Sequence, residues 1–72
     1  MSRRFAFVGG SSAKFWEINV AESQVVVRFG RLGADGQRQT RSFADPVAAG
    51  KHAEKLIGEK LAKGYVECAA AR

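Results

Sequence analysis

The sequence is poor in the residues that fix small folds covalently or through a metal. It has one cysteine, Cys68, and one histidine, His52. A single cysteine forms no internal disulfide, and the pair falls short of the four ligands of a structural zinc site. A disulfide-free domain of this size fits a reducing compartment, so a cytoplasmic protein is expected. No apolar run approaches the roughly 20 residues of a membrane span, and the N-terminus lacks a signal peptide's charged-then-apolar layout. Catalytic groupings are equally scarce. Cys68 and His52 have nothing evident to orient them as nucleophile and base. Residues 9–14 (GGSSAK) lack the closing Gly-Lys-Ser/Thr of a phosphate-binding P-loop. Gly30, Gly33 and Gly36 precede a strand pattern and not a helix, so the helix-dipole part of a dinucleotide fingerprint is absent. The chain is expected to be no enzyme, and to carry no cofactor and no metal.

What is present is one small domain. Seventy-two residues, 46% hydrophobic and 26% charged, suit a folded globular chain with a modest core. The formal net charge is +5. Residues 1–43 hold seven Lys/Arg against three Asp/Glu, and residues 44–72 five against four. The positive excess therefore lies in the N-terminal part. A polyanion such as nucleic acid is the natural partner for it, an anionic membrane surface a weaker one, and simple solubility the plain alternative.

Patterning assigns the elements. Residues 3–8 (RRFAFV) read as a short strand closed by a Gly-Gly-Ser-Ser loop. Residues 14–20 (KFWEINV) alternate, with Trp16, Ile18 and Val20 on the core face. Residues 24–32 (QVVVRFGRL) carry three consecutive valines and form the strongest strand signal. Asp35-Gly36 marks a hairpin turn into residues 37–43 (QRQTRSF), a polar returning strand. Asp45 as N-cap, Pro46 at the first helical position and Gly64 as stop bound one helix. Its apolar arc is Ala49, Gly50, Ala53, Leu56, Ile57 and Leu61. Lys60 falls within that arc, either as a snorkelling stem or as a phosphate contact. The fold class is α+β: a small antiparallel sheet of three to four strands against one C-terminal helix. The core is expected over about residues 14–65, with Tyr65-Val66 packing back on the sheet and residues 68–72 as a frayed tail.

The run Arg28-Phe29-Gly30-Arg31-Leu32-Gly33-Ala34-Asp35-Gly36-Gln37 places an aromatic, a glycine and an arginine at a strand end before a tight turn. Gly30 removes a side chain, so that a planar ligand can approach the backbone. Arg31 offers a planar fork of donors for a phosphate. Phe29 has two readings, a stacking ring or a core residue in step with Val25 and Val27. Lys14, Arg28, Arg38 and Arg41 lie on strands or strand ends and complete a basic stripe.

These residues, the upstream KFWEI and the downstream A-x-x-A…EKLAKGY together resemble a WGR domain, over about residues 14–65. Phe29 stands where the family has its name-giving Trp. Gly30 and Arg31 match, as do Gly33, Gly36 and Gln37 of the turn. The resemblance implies a small sheet crossed by a helix. In DNA-dependent poly(ADP-ribose) polymerases such domains contact DNA at a break and pass that contact to a catalytic domain. Seventy-two residues hold no such domain, and in this the chain resembles small stand-alone bacterial members. By resemblance Phe29 inherits the stacking role and Arg31 the support of DNA. Phe lacks the indole N–H and has a smaller face, so its stacking is weaker. The expected site is Lys14, Arg28, Phe29, Gly30, Arg31, Gln37, Arg38 and Arg41, binding DNA more readily than RNA, at ends or nicks. The alternative is a protein-interaction or homodimerisation module, using residues 3–8 as an exposed edge strand or an uncovered sheet face.

Overall fold

A computed structural model describes residues 2–68. The elements are β1 (Ser2–Gly9), β2 (Ser12–Ala21), β3 (Gln24–Arg31), β4 (Gln37–Ser42), α1 (Pro46–Ala62) and β5 (Val66–Glu67). They form one antiparallel sheet in the order β4-β3-β2-β1-β5, with α1 packed mainly across β2 and β3. The sheet has five strands where the sequence pattern indicates three to four.

The alternation of β2 holds as laid out in the sequence. Trp16 and Ile18 project under the helix, beside Phe5 of β1 and Val25 of β3, and Ala49, Ala53 and Ile57 press on them from α1. Small residues in the first turns let the helix lie close to the sheet. Phe5 is fully buried in this cluster, so the core begins well before residue 14. The Asp45 carboxylate accepts a hydrogen bond from the Ala48 amide at 2.8 Å, and Pro46 occupies the first turn. Lys63 caps the C-terminal end, with Gly64 beyond it. Leu61, counted in the apolar arc, remains 49% exposed because the helix overruns the core there.

The extra strand is short and sits on the outside of β1. Val66 pairs with Ala6 and Glu67 with Phe5. The Cys68 amide donates to the Arg4 carbonyl at 2.8 Å. Outside the ladder, Arg3 donates to both Glu67 carboxylate oxygens, at 2.8 and 2.6 Å. This bond holds the Glu67 carboxyl below its usual range. Two expectations change as a result. β1 is an edge only in part, since β5 covers it at Phe5 and Ala6; β4 is the edge on the other side. Cys68 is hydrogen-bonded and not frayed, while the remainder of the expected tail, 69–72, lies outside the described residues. Among the described residues no helix is long and apolar enough to cross a membrane.

Candidate nucleic-acid interface

Register determines which side chains meet. Phe7 pairs with Lys14, Lys14 with Arg31, and Trp16 with Phe29. Cross-strand partners share a face, so all five project to the helix side of the sheet. The helix ends before it covers this end of the sheet. A cavity of about 790 Å³ is left there, lined among others by Lys14, Trp16, Phe29, Arg31, Lys60 and Tyr65. Trp16 is buried at its base; Phe29 is half-buried, packed against the core and facing the cavity. A second cavity of about 360 Å³ shares Lys14, Lys60 and Tyr65 and adds Phe7 and Lys63.

The cations here rest on rings and not on carboxylates. The Lys60 ammonium sits 5.6 Å from the Trp16 ring centroid and 5.4 Å from that of Tyr65. Lys14 lies 5.5 Å from Phe7. Such contacts steady a cation without neutralising it. Among the described residues the ion pairs are Arg3–Glu67, Arg4–Glu17 and Arg28–Glu17, none of which involves this cluster. Burial lowers the Lys60 pKa below the ordinary lysine value; the charges of Lys63 and, more weakly, Lys14 push the same way, against Glu59. A group of like charges brought together in this way favours an incoming anion.

Gly30 serves a different purpose from the one its place in the sequence indicates. A Cβ there would stand 2.8 Å from the Gly36 Cα. The space beside Gly30 is filled by the chain's own loop, residues 32–36, which folds back over the end of β3. Gly36 itself is at φ +79°, where an added Cβ would meet the Phe29 carbonyl oxygen at 2.4 Å and the Phe15 ring at 2.8 Å. The two glycines let the loop close onto Phe15 and so set the position of Arg31.

The expected basic stripe is divided. Lys14, Phe29 and Arg31 face the cavity, and the Gly30 backbone lines it. Arg28 projects from the opposite, helix-free face. It donates to Glu17 through Nε at 3.1 Å and Nη2 at 3.3 Å, with its guanidinium 5.2 Å from the Phe15 ring. Arg38 is its exposed cross-strand neighbour. Arg41, opposite Val25, lies at the other end of the sheet, 6.0 Å from the Phe43 ring. Gln37 is exposed on the edge strand beside Phe29. Strand position alone groups these arginines; parity in the register turns Arg28 and Arg38 to the helix-free face, while Arg41, on the helix side with Val25, is separated by its distance along the sheet. Lys60 and Tyr65 enter the cavity from outside the glycine motif. The signal for Lys60 was a cation set in the middle of an apolar arc.

Comparison with known proteins bears on the family and the fold of the chain. The family model described as "WGR domain" matches residues 1–72. The Escherichia coli (strain K12) protein YehF is 40% identical over 65 residues, 90% of this chain and 24% of that protein. YfeS of the same organism is 37% identical over 67 residues, 93% of this chain and 28% of that protein. The chain thus spans about a quarter of the length of these curated relatives. A crystal structure of a Bacteroides fragilis protein superposes with a TM-score of 0.93 at 48% identity, covering 96% of this chain and 20% of that one.

Proposed function

The chain belongs to the WGR domain family, and from that premise we propose that it binds DNA at strand ends or nicks through the cavity at the C-terminal end of α1. WGR domains are in general nucleic-acid-binding modules and are not catalytic by themselves. The observation that carries the reading is the convergence of Lys14, Arg31 and Lys60, none in an ion pair among the described residues, on a solvent-open cavity walled by Phe29 and Tyr65. Arg31 offers bidentate contact to a phosphate, and the two lysines act as point charges. Phe29 supplies part of a ring face to a terminal base, in the way aromatic platforms hold unpaired ends. Arg28, already paired with Glu17, lies outside this interface, as do Arg38 and Arg41; Gln37 lies at its border. The reading implies a protein that works where DNA is, in the cytoplasm of a bacterial cell.

The test is a fluorescence-anisotropy titration of a 5′-phosphorylated nicked duplex over a salt series. With three phosphates neutralised, log K against log salt should fall with a slope of about −3. Absence of binding at low salt, or a flat response, sinks the proposal.

A further inference from the structure

The helix-free face of the sheet carries a row of charge in cross-strand register. Arg4 pairs with Glu17, Glu17 with Arg28, and Arg28 with Arg38. Read across β1, β2, β3 and β4, the signs run plus, minus, plus, plus. The first three groups form a closed unit. Arg4 and Arg28 both donate to Glu17, and their guanidinium groups lie 5.0 and 5.2 Å from the ring of Phe15 between them. That ring is only 1% exposed although no helix covers this face. The row then breaks its alternation. Like charges directly opposite one another on neighbouring strands destabilise a sheet, and Arg38 has no ion-pair partner among the described residues. Beside the two arginines is a shallow cavity of about 370 Å³, lined by Ser2, Glu17, Asn19, Val26, Arg28 and Arg38.

We propose that this face docks an acidic segment of a partner protein, with a carboxylate seated between Arg28 and Arg38. The occupant follows from the charges: three arginines and one glutamate leave an excess of two positive charges, and the missing member of the alternating row is a carboxylate. Planar guanidinium groups suit it by bidentate donation. Half-buried Val26 lines the same cavity and gives an extended segment an apolar contact beside the two arginines. Nucleic acid suits the face less well. Its aromatic ring is sealed beneath two guanidinium groups and offers nothing to stack on, and the Glu17 carboxylate repels phosphate. A second copy of the chain would set arginines against arginines. The site is on the opposite side of the sheet from the Lys14–Arg31–Lys60 cavity and acts whether or not that cavity holds DNA.

The probe is an acetylated, amidated hexapeptide alternating Glu and Val, with its Gln–Val counterpart as the uncharged control. It is titrated into the ¹⁵N-labelled protein and followed by NMR. Saturable shifts of the Arg28 and Arg38 Nε–Hε signals and of the Asn19 and Val26 amides are expected with the Glu peptide and not with the Gln peptide. R38E supplies the missing carboxylate within the chain itself and should weaken the peptide by about tenfold while melting no lower than the parent. R38A, which only removes the charge, should weaken it as well and guards against a folding defect in R38E. Absence of shifts, equal shifts from both peptides, or unchanged affinity in R38E and R38A overturns the proposal. So does a duplex DNA that moves the Arg28 and Arg38 signals in place of those of Lys14 and Arg31, or dilution of the protein alone that moves them, since these outcomes assign the face to nucleic acid or to a second copy.

Discussion

Phe15 and the glycines around it show how much of a residue's role depends on neighbours distant in sequence. Alternation along β2 puts Phe15 on the side away from the helix, where exposure is the ordinary outcome. It is buried instead by two guanidinium groups and by the returning loop. The glycines that permit this are not equivalent. Gly33 and Gly36 both have positive φ, at +90° and +79°, but a Cβ on Gly33 meets nothing within 4 Å. G33A should therefore cost only the backbone term, about 1 kcal/mol. G36A adds a collision with the Phe29 backbone and the Phe15 ring, and should cost about 3 kcal/mol or more. Urea unfolding of the two variants measures the difference, and equal midpoints would contradict the packing described. The FGRLGADGQ run identified these glycines, and an open approach for a ligand was one reading of Gly30. The occupant of that space, Gly36, is six positions along the chain, and only the folded loop brings it there.

Elements with strong local signals match their sequence limits closely. Asp45-Pro46 and Gly64 bound the helix because capping chemistry is local. The Val-rich strand is local too; the turn after it lies not at Asp35-Gly36, as the sequence indicates, but at Arg31–Ala34, where the Ala34 amide donates to the Arg31 carbonyl at 3.0 Å. β5 is the opposite case. A two-residue strand has no period to read, and its contacts are distant in sequence: the ladder to Phe5 and Ala6 and the bond between Arg3 and Glu67, 64 positions apart. The bond lowers the Glu67 pKa, so its contribution to stability is present above the unfolded value of about 4.3 and is lost as pH falls through the folded value. The Val66 and Cys68 amides, which face β1, should therefore exchange faster as pH drops through that range, after correction for intrinsic exchange. In E67Q this pH dependence should vanish. A parent protein whose β5 exchange ignores pH would show that the ladder alone holds the strand.

For the molecule as a whole, net charge was legible and its distribution was not. A count of +5 carries no address. Strand parity sends Lys14 and Arg31 to one face and Arg28 and Arg38 to the other, and the end of the helix decides which cations remain open to solvent. The division predicts different salt behaviour. R31A should reduce the magnitude of the log K–log salt slope on nicked duplex by about 0.9, the loss of one phosphate contact. R41A, 6.0 Å from Phe43 at the far end of the sheet, should leave the slope unchanged. A slope that drops equally in both variants would mean that binding follows overall charge and not the cavity.

The short strand β5 has a further effect. Because it runs antiparallel to β1, with the Cys68 amide bonded to the Arg4 carbonyl, the chain enters and leaves the sheet side by side. Both passages are at the end carrying Ser2 and Asn19, away from the Lys14–Arg31 cavity. A unit with neighbouring entry and exit points can be inserted into a host loop as a cassette without parting that loop's ends. The start of β1 and the finish of β5 thus share one end of the sheet, and the Lys14–Arg31 cavity keeps its mouth at the other.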